Sequence, residues 1–170
     1  MVTGLQAEKT RWFATLEPVA PDDMVGLWQG VGIPSGHPLD GVLENLQWFG
    51  KRFHADMRAD ALLFQSRSGR LVPVEPAFMP IRLVLKLAGL GRTAPARNLF
   101  QQMERTLRAR GTTASLRAET LDGVETAAMV YDRQPITDYF RRIDADTVAG
   151  MMCVSGDARR YFFQLQRLTG

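Results

Sequence analysis

The last third of the chain leaves least freedom. Residues 113–121, 124–131, 136–143, 147–154 and 160–168 are five strand-length runs, joined by Asp122-Gly123, residues 132–135, Asp144-Ala145-Asp146 and residues 155–158. Asp-Gly is a favoured two-residue hairpin turn. Connections this short force antiparallel neighbours, because a parallel crossover needs a dozen residues or more. The segment is therefore a five-stranded meander. Such a meander must curl against something or close on itself to remove its edges.

The first half suggests how it closes. Gly26-Leu27-Trp28-Gln29-Gly30 opens a run, 26–33, that reads as a strand. Gly26, Gly30 and Gly32 let such a strand bend as a sheet closes, and Trp28 is sized to plug one end of a barrel. Residues 61–66 and 70–74 form a hairpin around Arg67-Ser68-Gly69. Residues 78–87 read as a further strand. Helical spacing is expected over 5–16, over 39–49 (Leu39, Val42, Leu43, Leu46, Phe49) and over 94–110 (Leu99, Phe100, Met103, Leu107). The sum is a mainly β chain: a single antiparallel barrel of eight to ten strands with two or three accessory helices. It is read as one domain over 1–170. Eight or so strands enclose a packed interior or one small ligand.

Composition narrows the function classes. No apolar run approaches the ~20 residues of a membrane span, and the N-terminus lacks the pattern of a secretory signal. One cysteine, Cys153, rules out an internal disulfide and a cysteine zinc cluster, so a cytoplasmic location is expected. His37 and His54 are the only histidines, with no metal-binding spacing and no cluster of acidic ligands. No metal or other cofactor is expected. No nucleophile elbow, phosphate loop or dinucleotide fingerprint occurs. The net charge of +3 is unevenly placed: Lys86, Arg92, Arg97, Arg105, Arg108, Arg110 and Arg117 stand against Glu104 alone between 86 and 117. Nucleic acid is not the expected partner, since neither a helix-turn-helix pattern nor an exposed aromatic ladder accompanies these cations. Arg97, Arg105 and Arg108 flanking an apolar helix face instead suit a membrane surface.

Three sets of residues together carry a resemblance: Gly26 to Gly30; His37-Pro38-Leu39-Asp40-Gly41 with Trp48-Phe49-Gly50-Lys51-Arg52-Phe53; and the run from Met129-Val130-Tyr131 through Asp138-Tyr139-Phe140-Arg141. They resemble the bacterial GXWXG family (about 20–87) and the uncharacterised C-terminal family that accompanies it (about 112–168). More weakly, the Gly-x-Trp start is similar to lipocalin and nitrobindin-like barrels, in which an arginine of the last strand covers the tryptophan. Arg160 or Arg167 would do so here. No histidine follows His54, which argues against a haem site. The resemblance implies a calycin-like barrel that binds a hydrophobic molecule, a fatty acid or a phospholipid.

The expected ligand site draws on Trp48, Met129, Tyr131, Phe140 and Met152 for its lining and on Lys51 and Arg52 for a cationic clamp on an anionic head group. Each face of 136–143 carries both a charge and an aromatic, so Asp138 or Arg141 sits near the interior. A buried Asp138 would need a cationic partner, with Lys51, Arg52 and Arg142 as candidates. His37 is a ligand contact or a loop-fixing hydrogen bond. Trp28, Gly26 and Gly30 are structural. The alternative functions are a cofactor-free enzyme in the same cavity, with Asp138 and His37 as acid and base, and a membrane-docking module built on 94–110.

Overall fold

The computed structural model describes residues 3–169. Helix α1 (Gly4–Thr15) starts where the Thr3 hydroxyl accepts from the Gln6 N–H, and a two-residue strand β1 (Glu17–Pro18) follows. A turn at 21–24 leads into β2 (Gly26–Ile33), a short α2 (Val42–Asn45), β3 (Trp48–Phe53), β4 (Arg58–Gln65) and β5 (Leu71–Pro73). A helical stretch comes next, with α3 (Ile81–Lys86), α4 (Ala94–Gln102) and α5 (Glu104–Leu107). The chain ends in the expected meander: β6 (Ala114–Leu121), β7 (Val124–Tyr131), β8 (Ile136–Asp144), β9 (Thr147–Val154) and β10 (Arg160–Arg167).

The strands run β8-β7-β6-β4-β3-β2-β10-β9, and β9 pairs back to β8, so eight antiparallel strands close a barrel. β2 lies between β10 and β3, which joins the two ends of the chain. The remaining strands patch the edges: β1 pairs with Arg141 and Arg142 of β8, and β5 extends β4 beyond the end of β6. Alternation along β10 separates two cores. Tyr161, Phe163 and Leu165 point inside, while Phe162 points outside with Ala149 and Met151 and is covered by Phe13 of α1. On β8, Ile136, Asp138 and Phe140 point in. Arg141 points out beneath α1, where Nη1 donates to the Leu16 carbonyl at 3.1 Å and the guanidinium lies 5.7 Å from the Phe13 ring.

Trp28 fills the barrel end as expected. It is fully buried, its Nε1 donates to the Met24 carbonyl at 2.7 Å, and Arg167 covers it with the guanidinium 4.3 Å from the ring centre. Gly30 serves packing more than bending: a Cβ there would stand 2.3 Å from the Trp48 ring.

Three local expectations change. No strand forms over 78–87; residues 81–86 fold as helix α3 instead. A short apolar run has no period that separates the two, and Pro80 supplies a fixed φ at the helix start. The helix expected over 39–49 shrinks to 42–45. Gln47 takes a left-handed φ of 67° that ends it, and Trp48 and Phe49 belong to β3. The helix expected over 94–110 divides at Met103 into α4 and α5.

Candidate functional site

Inside the barrel, an apolar cavity of about 80 Å³ is roofed by the helical stretch. Leu39, Val42, Leu43 and Leu46 form one wall around α2, and Met79, Ile81 and Val84 come from the segment containing α3. The floor is polar. Lys51 Nζ lies 2.9 Å from Asp138 Oδ2, with both side chains at or below 2% exposure. The same ammonium donates to the Ala61 carbonyl at 2.9 Å and contacts the Tyr131 hydroxyl at 3.4 Å; that hydroxyl in turn donates to Asp138 Oδ2 at 3.5 Å. The rings of Trp48, Tyr131 and Phe163 surround the ammonium at 5.1–5.9 Å.

A departure from strand alternation puts Lys51 there. Trp48 and Lys51 are three apart, so in a regular strand they would face opposite ways. The pairing of β3 with β4 slips on either side of Gly50, which has φ 155°, and the slip turns Lys51 and Phe53 to the face that Trp48 occupies. A Cβ at Gly50 would come within 2.0 Å of the Trp28 carbonyl oxygen. The GXWXG segment and the lysine are thus coupled: the backbone of Trp28 admits only glycine at the position beside which Lys51 turns inward.

Burial pushes the Asp138 carboxyl up from its ordinary pKa, while Lys51 and the Tyr131 hydrogen bond oppose the shift. Burial, joined by the Asp138 charge, raises Tyr131 well above its usual value, so Tyr131 remains a neutral hydroxyl. Among the described residues, three lining side chains keep a buried polar atom without a partner: Trp48 Nε1, Tyr161 Oη and Asp138 Oδ1. The first two can donate and the third accepts.

The expected site residues divide accordingly. Trp48, Lys51, Tyr131, Asp138 and Met152 line the cavity together. Met129 and Phe140 point into the barrel but lie in the packed core, Phe140 edge-on to Phe53 and Phe163. Arg52 does not join Lys51 in a clamp. As the next residue on a strand it faces outward, 40% exposed and 3.8 Å from Asp60. Lys51 meets Asp138, one of the two residues expected near the interior; the other, Arg141, is buried on the outer face. His37 sits in the 34–41 loop, where its Nδ1 accepts from the Leu39 N–H at 3.1 Å and its ring packs on Tyr161; it is not part of the cavity. Asp138 and His37 therefore form no acid–base pair across a shared substrate. Cys153 faces away from the cavity, and burial pushes its thiol up to about 11, which leaves it a poor nucleophile. Among the described residues, no three or more His, Cys, Asp or Glu side chains cluster as metal ligands would. Among the described residues, no helix is long and apolar enough to cross a membrane. Tyr161 was absent from the expected site, although its alternation with Phe163 and Leu165 on the last strand marks it as inward-facing.

A closed antiparallel eight-stranded barrel with an apolar cavity over a buried polar floor is a calycin-like architecture. The chain belongs to the GXWXG family. The family described as GXWXG protein matches residues 11–69, and a domain of unknown function, DUF4334, matches residues 112–167. A crystal structure of a protein from Thermomonospora curvata is similar over 96% of this chain and 88% of its own, with 30% sequence identity and a TM-score of 0.70. No curated protein matches the chain. The cavity draws on both matched segments: Trp48 and Lys51 from the first, Tyr131, Asp138, Met152 and Tyr161 from the second. The roof, residues 76–107, falls between them.

Proposed function

We propose that the chain binds a small apolar molecule carrying one uncharged polar head, with the tail under the helical roof and the head on the floor of Lys51, Asp138 and Tyr131. One observation supports this reading above the others: a buried ion pair closes an apolar cavity whose lining also holds two donors and an acceptor without partners. A fold seeking only stability would gain as much from apolar residues of similar size, since desolvating two charges offsets most of their attraction.

The head group follows from the charges. Lys51 is already matched by Asp138, and Arg52 faces solvent, so the floor is electrically neutral. An anion would meet the Asp138 carboxylate as well as the ammonium. A hydroxyl, a carbonyl or a fatty acid taken up in its protonated form fits this floor better than a phosphate does. The cavity of about 80 Å³ has room for two or three water molecules at ~30 Å³ each. Ligand pockets are larger, about 300–1,000 Å³, so a medium or long tail requires the roof to move outward.

Calorimetric titration with 1-decanol, decanoate and decane distinguishes the heads. Decanol is expected to bind most tightly at neutral pH, with decanoate gaining as the pH falls. A hydrogen bond to a charged group contributes about 1.5–3 kcal/mol, so Lys51→Met/Asp138→Leu should weaken decanol by about 10- to 150-fold and leave decane unchanged. Preference for ionised decanoate, or equal binding of decanol and decane, would overturn the reading. Consumption of the ligand during titration would instead favour an enzyme that uses the open Asp138 oxygen as its base.

A further inference from the structure

The roof also carries apolar side chains that the cavity does not use. Eleven large apolar side chains are exposed among the described residues, and six of them fall within 78–103: Phe78, Leu83, Leu87, Leu90, Leu99 and Met103. Helix α3 shows the division most sharply. Ile81 and Val84 line the cavity, whereas Leu83 is 52% exposed and Leu87, just past its end, is 48% exposed. Leu90 and Leu99 are more exposed still, at 63% and 57%. On α4, Phe100 packs on Phe64 at 4.7 Å while its neighbour Leu99 faces water. Monomeric proteins rarely concentrate exposed apolar side chains in this way without a partner.

The charge on the same stretch selects the partner. Residues 76–103 contain Arg82, Lys86, Arg92 and Arg97 and not one carboxylate. Arg82, Lys86, Arg97, Arg105 and Arg108 form no ion pair among the described residues. Arg105 and Arg108 line an open cleft with Phe78. Leucines and a phenylalanine among unpaired cations suit an anionic bilayer, where the apolar groups enter the acyl boundary and the cations meet head groups. A second copy of this chain would set these cations against themselves.

We infer that the helical roof, residues 76–107, docks on the surface of an anionic bilayer. The consequence for function, that the bound ligand passes between bilayer and cavity beneath the docked roof, rests on the ligand reading above; the docking itself does not. The same short helix and the residue that ends it would touch lipid with Leu83 and Leu87 and the cavity with Ile81 and Val84.

Sedimentation of the full chain with extruded vesicles tests this. Binding is expected to phosphatidylcholine vesicles containing phosphatidylglycerol, not to phosphatidylcholine alone, and should fall steeply with salt. A basic residue near an anionic surface contributes about fivefold in partitioning, so Lys86→Gln/Arg97→Gln should weaken binding about 25-fold. Leu83→Ser/Leu87→Ser/Leu90→Ser should weaken it at least tenfold. Val31→Ser/Val124→Ser, on exposed barrel positions, should leave it unchanged. Arg97 is half-buried and the other side chains are exposed, and thermal melts check that each variant folds. Equal binding to neutral vesicles, or full binding by the triple serine variant, would overturn the inference. So would a dimer in analytical ultracentrifugation that the triple variant dissociates, which would make the face a contact between copies. Lys51→Met/Asp138→Leu keeps the two readings apart: it should lose decanol and still sediment with vesicles.

Discussion

Replacing Lys51 by methionine keeps most of the side-chain volume and removes the ammonium, leaving the Asp138 carboxylate buried without its counter-charge. Breaking a buried pair in this way destabilises by about 3–5 kcal/mol. Protonation of the orphan limits the loss. Neutralising a carboxyl of ordinary pKa 3.8 at pH 7 costs about 4 kcal/mol, at 1.36 kcal/mol per unit. The loss should therefore depend on pH in a definite direction. In the variant, the folded-state pKa of Asp138 lies further above its unfolded value, so the native state holds a proton that the unfolded state has released. Its stability is then fully present below the unfolded pKa and declines as pH rises toward the folded one, by about 1.4 kcal/mol per unit. Urea denaturation followed by tryptophan fluorescence should show Lys51→Met losing more, relative to the parent chain, at pH 7 than at pH 5, by at most about 2.7 kcal/mol. Lys51→Met/Asp138→Leu leaves no charge to orphan, so it should recover to within about 1 kcal/mol of the parent or exceed it. A loss below about 1 kcal/mol at pH 7, a loss independent of pH, or a double variant no better than the single one would refute the reasoning. Each outcome would mean that the pair is not the desolvated ion pair described above.

Two further outcomes follow from single positions. Trp28→Ala should destabilise by about 3–5 kcal/mol in thermal or urea unfolding, the range of large buried aromatic deletions, while the milder Trp28→Phe should leave decanol affinity unchanged because Trp28 does not line the cavity. Burial lowers His37 from 6.5 to about 4, against the opposing effect of Asp40; its contribution is fully present above pH 6.5 and is lost as the pH falls toward 4, a span of about 3 kcal/mol, so the acid limb of a stability–pH profile should be shallower in His37→Gln than in the parent.

The frame was readable wherever a local rule had no competitor. Asp122-Gly123 and the other short connections admit only antiparallel neighbours, and β7 and β9 begin and end where their sequence runs do. Trp28 under an arginine of the last strand was legible through the barrels the chain resembles, though not which of Arg160 and Arg167 covers it. Failures occurred where packing decided between local options. Residues 81–86 are apolar on both sides of the helix they form, so no period separated helix from strand. Glu17-Pro18 is too short to read as a strand, and its pairing depends on β8 lying alongside. At the site, Asp138 and its possible lysine partner could be named from the mixed face of 136–143, but the orientation of Lys51 could not. Strict alternation does not put Trp48 and Lys51 on one face. Only the slip at Gly50 does so, and it sits where the Trp28 backbone of the neighbouring strand leaves no room for a side chain. The same geometry removes Arg52 from the site.

The division of the cavity between the two matched segments has a physical reading. The meander β6–β10 brings Tyr131, Asp138 and Tyr161 to one inner surface, but its edges at β6 and β10 stay open until β4 and β2 pair with them. Closure by the first segment brings in Lys51 together with those strands. Before closure, Asp138 would face water; after it, the carboxylate is enclosed by aromatic rings and needs the ammonium that the same step delivers. Completion of the barrel and assembly of the polar floor are therefore one event. Neither matched segment by itself holds the buried Lys51–Asp138 pair or the full lining of the cavity. Only the roof between them, residues 76–107, is left to vary how the cavity opens and what it opens onto.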